Sequence, residues 1–185
     1  MRVIAGRAGG VRLAVPKAGV RPTMDRVKAA IFSSLGDVII GAQILDLFAG
    51  SGALGIEALS RGAASVLFVD EDRQSISAIE KNLAKTKFQA DVREQDVFNF
   101  LRRFSPTEKF RVIFADPPYE RMEPGASYTE KLLSCQALYE IIELEGFFVL
   151  EKHPSEKIPE TKWWSVVRAK TYGATEVLFL RRANR

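Results

Sequence analysis

Cysteine and histidine are almost missing from this chain: Cys135 and His153 are the only ones in 185 residues. A single cysteine excludes an internal disulfide, and one of each is too few for a Cys/His metal centre, so no metal is expected. A reducing, cytoplasmic setting fits. Cys135 is expected at a buried helical position and His153 in a surface loop ahead of Pro154. No apolar run is long enough to span a membrane, because the longest, near Val38 to Ile56, is broken by Gln43, Asp46 and several glycines. The start has no secretory h-region or cleavage site. It is basic and nearly free of acids, which is also the composition of a transit peptide. There is no internal repeat and no low-complexity segment. What is scarce at one end is negative charge. Residues 1–36 hold seven Arg/Lys and one Asp, a balance of +6; the whole chain carries +4, so the remainder carries −2. Basic residues concentrated in the first fifth of the chain favour an anionic partner.

What is present centres on DLFAGSGALG, Asp46 to Gly55. The apolar run from Gln43 to Phe48 reads as a buried strand, followed by a glycine turn and a helix from Ala53 to Ser60. Gly50, Gly52 and Gly55 have G-x-G-x-x-G spacing, which permits a tight turn and close approach of backbone to ligand and of helix to strand. A second apolar strand, Ser65 to Val69, ends at Asp70, 20 residues after Gly50. That is the usual offset for a carboxylate that accepts the hydroxyls of a ribose. In dinucleotide sites such a loop faces a pyrophosphate. A carboxylate at Asp46, on the strand just before the loop, would repel phosphates and attract a cation. S-adenosylmethionine has no phosphate; it has an α-ammonium and a sulfonium. The expected cofactor is therefore S-adenosylmethionine, held by Asp46, the loop Phe48, Ala49, Gly50, Ser51 and Gly52, then Asp70 and Glu71. Asp96 and Val97 are candidates for the adenine, with an N-cap role for Asp96 equally open.

Along the chain, Arg2–Ala5 and Val11–Val15 are short strand candidates that Gly6 to Gly10 can join as a hairpin, projecting Arg7, Arg12 and Lys17. Thr23 can N-cap a helix whose apolar stripe is Val27, Ala30, Ile31, Ser34 and Leu35, with Arg26 and Lys28 off that stripe. Arg7, Arg12, Arg21 and Arg26 are the substrate-binding candidates. After the βαβ unit come a helix Arg73–Thr86, a short strand Ala90–Arg93, a helix from Val97 to about Arg103, and a fourth strand Phe110–Ala115. A helix Tyr128–Ile142, a strand Gly146–Leu150, and two strands near Trp163–Lys170 and Thr175–Arg181 complete the pattern. Alternation of strands and helices predicts a mostly parallel sheet covered on both faces. The last two strands have little between them, so one should run antiparallel. The expected division is residues 1–36, a basic hairpin and helix, and residues 37–185, a Rossmann-like domain.

The fourth strand runs into Asp116, Pro117, Pro118 and Tyr119. Ligands in open α/β sheets bind beyond the carboxyl ends of the strands, so these residues should share a crevice with Asp46 and Asp70. A nucleobase amine is a poor nucleophile because its lone pair is delocalised into the ring. Two acceptors placed for its two hydrogens favour the tetrahedral form. Asp116 supplies one, and the Pro117 carbonyl, restricted by the flanking proline, supplies the other. The carboxylate also stabilises positive charge developing on nitrogen. Tyr119 offers a face on which a base can stack.

Asp46 to Arg61 together with Asp116 to Tyr119, RPTMDRV from Arg21 to Val27, and GRxGGxxL from Gly6 to Leu13 resemble the RsmD family of bacterial 16S ribosomal RNA guanine-N2 methyltransferases. The resemblance spans essentially the whole chain. It implies a class I methyltransferase fold, S-adenosylmethionine, and one guanine of small-subunit rRNA in an assembled or assembling subunit. It also implies that Asp70 binds ribose and that Asp96 lies near adenine. The protein is expected to be a monomer. Two departures are the Asp at position 70, where relatives often have Glu, and Met122 to Tyr128, which match no strong family pattern. A DNA adenine-N6 methyltransferase uses the same amine chemistry but normally needs a target-recognition segment, for which there is little room. A protein glutamine methyltransferase gives no reason for the basic leader. A non-catalytic rRNA-binding assembly factor gives none for the four site residues.

Overall fold

The computed structural model describes residues 1–16, 25–105, 107–118 and 127–183. Its framework is one seven-stranded sheet: β1 (Gln43–Leu47), β2 (Ser65–Asp70), β3 (Asp91–Glu94), β4 (Phe110–Ala115), β5 (Ile142–Lys152), β6 (Trp164–Tyr172) and β7 (Thr175–Arg182). The order is β3-β2-β1-β4-β5-β7-β6. β1 to β5 are parallel, and β7 runs antiparallel to both its neighbours, as the short link between the last two strands requires. The central strands are apolar on both faces, as expected of a parallel sheet with two helical layers. Their side chains alternate between two cores. Ile44, Val112 and Phe114 join the core on one face; Leu45, Leu47, Ile113 and Ala115 join the other.

The first face is covered by α1 (Asp25–Leu35), α2 (Ala53–Ser60) and α3 (Arg73–Thr86), the second by α4 (Val97–Arg103), α5 (Tyr128–Leu133) and α6 (Gln136–Ile141). The starts of α3, α4 and α5 are fixed by caps. The Asp72, Asp96 and Ser127 side chains accept from the N–H groups of Ser75, Asn99 and Glu130. Residues 1–16 lie on the first face too. Val3, Ala8 and Leu13 share its core with Val27, Ile31 and Phe32 of α1.

Four elements differ from the sequence expectation. The N-terminal hairpin narrows to one antiparallel bridge, Arg2 with Arg12. Its outer backbone groups are spent on α2 instead: Ile4 and Ala5 donate to the Glu57 carboxylate at 2.7 and 3.1 Å, Arg7 to the Ser60 carbonyl and Ala8 to the Ser60 hydroxyl. On α1, Lys28 is fully buried rather than turned outward, its ammonium 3.3 Å from Glu57 and bonded to the Arg2 carbonyl. The helix expected over Tyr128–Ile142 is two helices, and half-buried Cys135 is the N-cap residue of the second. The Thr161 hydroxyl takes the Leu133 carbonyl at 3.2 Å, the acceptor a continuous helix would offer to residue 137. Finally, β5 starts directly from α6, four residues before Gly146, and shifts register there against β4. Thr23 and Lys17 lie outside the described residues.

Candidate active site

The glycine turn between β1 and α2 places three left-handed residues within five positions: Phe48 at φ 55°, Gly50 at φ 55° and Gly52 at φ 73°. Glycine adopts this conformation without strain, whereas a bulky residue such as Phe48 does so only when its surroundings hold it. At Gly55 the requirement is space. A Cβ there would meet the Phe68 ring at 2.3 Å, so only glycine lets α2 lie this close to β2. The backbone of the turn is therefore pressed onto the carboxyl edge of the sheet.

Three carboxylates converge on that edge. Asp46 is buried on β1, and its Oδ2 accepts from the Gly55 N–H at 2.9 Å, holding the first turn of α2. Burial raises its pKa to about 8; the Gly55 bond opposes the rise, and the charges of Asp116 and Asp70 add to it. Asp70, at the end of β2, accepts from the Gly50 N–H at 2.8 Å and the Asp72 N–H at 2.9 Å. Its pKa is also raised, chiefly by burial against these two bonds. Asp70 thus braces the glycine turn as well as facing the edge. Asp116, half-buried, follows β4 directly, with Pro117 buried and Pro118 exposed. A pyrophosphate would meet three acids here. An ammonium and a sulfonium suit the same field.

The remaining expected site residues are placed as follows. Ala49, Gly50, Ser51 and Gly52 are buried in the turn, and the Ala49 N–H donates to the Val69 carbonyl. Glu71 is exposed beyond β2. Asp96 is half-buried and caps α4 through Asn99 at 2.8 Å; Val97 beside it is buried in the second core. Arg7, Arg12 and Arg26 are all exposed. Arg7 lies over the Phe88 ring at 5.1 Å, near the end of α3, and the Arg12 carbonyl accepts from Lys85 of α3 at 2.6 Å. The cationic surface of the leader is therefore continued in space by a helix outside the first 36 residues. Tyr119 and Arg21 lie outside the described residues.

The structure adds an aromatic cluster of which pattern reading named only Phe48. Phe98 and Tyr128 stack at 6.1 Å and 9°, and Phe48 meets Tyr128 edge-on at 5.3 Å. The three rings come from residues following β1, opening α4 and opening α5. Their only sequence signal is adjacency to the turn and to Asp96. Among the described residues, no three His, Cys, Asp or Glu side chains are grouped to hold a metal ion, and no helix is long and apolar enough to cross a membrane.

A parallel sheet with its β7 strand reversed, a glycine turn after β1 and carboxylates at the ends of β1, β2 and β4 define a class I S-adenosylmethionine-dependent methyltransferase fold. Residues 1–181 match the family described as Conserved hypothetical protein 95, and the chain belongs to that family, the RsmD family of methyltransferases. It is 40% identical over 187 residues to the Bacillus subtilis protein named "Putative rRNA methyltransferase YlbH", spanning 98% of this chain and 99% of that one. It is 33% identical to the Haemophilus influenzae ribosomal RNA small subunit methyltransferase D, over 94% of this chain and 89% of the relative. The solved structure of an Escherichia coli protein, "Putative methyltransferase yhhF", superposes with a TM-score of 0.83 at 34% identity, covering 100% of this chain and 99% of that one.

Proposed function

We propose that this protein methylates the exocyclic N2 amine of a guanine in small-subunit ribosomal RNA, using S-adenosylmethionine, and that it acts as a cytoplasmic monomer on an assembled or assembling subunit. The observation that carries this reading is the parallel pairing of β1 with β4, Leu47 opposite Ala115, because it puts Asp116 and the DPP segment at the same sheet edge as Asp46, where a cationic cofactor would sit. Bound there, S-adenosylmethionine supplies an electrophilic methyl group on a sulfonium. Asp46 would hold the α-ammonium, Asp70 and Glu71 the ribose, and Asp96 with Val97 the adenine. Tyr119 would offer a ring for the target base.

Asp116 accepts one hydrogen of the target amine and the Pro117 carbonyl the other. Their two directions draw the nitrogen lone pair out of the ring plane. The positive charge forming on nitrogen is stabilised by the Asp116 carboxylate. The methylated ammonium is strongly acidic, so it gives up its proton to Asp116 or water without a base of high pKa. The names of the relatives and the exposed arginines of residues 1–36 support ribosomal RNA over DNA or a protein glutamine. In this reading those 36 residues form a docking extension, even though Val3, Ala8 and Leu13 share a core with the sheet.

The decisive experiment is tritium transfer from labelled S-adenosylmethionine to small subunits, naked rRNA, DNA and protein, each tested alone, followed by nucleoside analysis. Label in N2-methylguanosine from rRNA or subunits is the expected result. Label in DNA or glutamine transfers the chemistry to another substrate, and no label anywhere leaves only the assembly-factor role.

The cofactor reading also has a pH signature. Asp46 sits near pKa 8 in the cofactor-free protein, so it is largely protonated at pH 6. An ammonium ligand favours the carboxylate and lowers that pKa. Binding should release a proton, and affinity should climb from pH 6 to about 7.5, by at most about tenfold per unit, before the ligand ammonium itself titrates. Calorimetry in two buffers of different ionisation enthalpy counts the proton. A flat affinity with no proton released removes Asp46 from the ammonium site.

A further inference from the structure

We infer that Asn82 is a positioning residue that couples the N-terminal leader to the glycine turn, so that rRNA and cofactor strengthen each other's binding; this rests on the assignment of those two segments proposed above. Asn82 lies within α3 and is fully buried. Its Oδ1 accepts from the Ala14 N–H at 2.7 Å. Its Nδ2 donates to the Ala14 carbonyl and to the Ser51 carbonyl, each at 2.9 Å. The carboxamide therefore pairs with both backbone groups of Ala14, as a neighbouring strand would, and gives its second hydrogen to the residue between Gly50 and Gly52. The Ser51 hydroxyl in turn meets the Met1 sulfur at 3.7 Å. Both arms of the leader and the cofactor turn thus meet around one side chain, across sequence separations of 31 and 68 residues.

Packing alone does not need this arrangement. Ile76, Ile79 and Leu83 already bury the apolar stripe of α3. What the amide adds is direction. It ties the Ser51 carbonyl to Ala14, and so ties the aim of the adjoining Gly50 and Gly52 backbone to the position where the leader leaves α3. Leucine would fill the space and bond nothing, stranding three backbone groups. Aspartate would keep the Ala14 N–H but turn a charge toward two carbonyls. A ligand that orders either segment lowers the ordering cost at the other, and the two affinities must change by the same factor.

The test uses the full chain, S-adenosylhomocysteine, and small subunits from cells lacking the enzyme. Each ligand is titrated with and without the other. In the wild type each should tighten the other by about 5- to 20-fold. Asn82→Ala should bring that factor below about 2, with the affinity for S-adenosylhomocysteine alone within about threefold, and should raise KM for subunits more than it lowers kcat. Asn82→Asp, equal in size, should lose the coupling as well and serves if the alanine variant does not fold. An uncoupled wild type, or coupling retained in a folded variant, overturns the inference and leaves the proposed function standing. A wild type that binds neither ligand overturns the proposed function and this inference with it.

Discussion

Replacing Asp116 by alanine lowers single-turnover methylation by roughly two to three orders of magnitude, the scale for removing one preorganised group aimed at developing charge. Cofactor affinity should hold or rise slightly. Asp116 is one of the two charges that push Asp46 toward its neutral form, so its loss lowers the Asp46 pKa and favours the carboxylate that a cation prefers. The two effects have opposite signs, which separates a catalytic role from a structural one: a damaged site would lose both. Rapid-quench methylation with saturating cofactor, beside calorimetric titration of S-adenosylhomocysteine, measures them. A near wild-type rate removes Asp116 from the chemistry. Unchanged turnover with weakened cofactor binding would place it in the cofactor site instead.

The largest effect on stability is expected at Glu57, far from any reacting atom. Its carboxylate is fully buried and serves four groups: the Lys28 ammonium, the Ile4 and Ala5 N–H groups, and the Arg61 guanidinium at 2.7 Å. Glu57→Ala leaves Lys28 buried without its counter-charge, a change that costs about 3–5 kcal/mol. For a chain of this size that lowers the melting midpoint by roughly 6–20 °C. Burial already lowers the Lys28 pKa, and Glu57 is the main influence raising it. Without Glu57 the folded lysine resists protonation further while the unfolded chain still takes up the proton. Stability should therefore fall more steeply as pH falls. Denaturant melts at pH 6 and 8 measure this. The double variant Lys28→Met with Glu57→Leu should recover part of the loss, since an apolar pair removes the unpaired charge but not the stranded Ile4 and Ala5 N–H groups. Equal stability of Glu57→Ala and wild type would mean that the ion pair is not what anchors the leader.

The mostly parallel sheet, one reversed strand among the last two and the acids at the strand ends were legible because they rest on local signals. These are apolar runs of five or six residues, glycine spacing, and an acid at each strand end. The site was legible as far as residues adjacent in sequence to those signals, such as Asp46, Asp70 and Asp116. What escaped depends on partners 26 to 80 positions away. Lys28 shares the i, i+3, i+4, i+7 face of Ile31, Phe32 and Leu35, but a lysine there reads as off the stripe until Glu57 across the core supplies its partner. The hairpin ladder is reduced because the Ser60 and Glu57 side chains outcompete it for backbone N–H groups. The break at Cys135 depends on Thr161, and the ring cluster on loops that the fold alone brings together.

The position of β7 between β5 and β6 has a consequence for biosynthesis. β6 is made first, yet among the described residues it pairs only with β7, and β5 keeps an open edge until β7 arrives. Until residues 175–182 pair, the folding chain presents an unpaired β5 edge and a free β6 segment with Val166 and Val167 exposed even in the finished fold. Unpaired edges of this kind invite pairing with other chains. The folding chain is thus most exposed to aggregation before its closing strand inserts between β5 and β6.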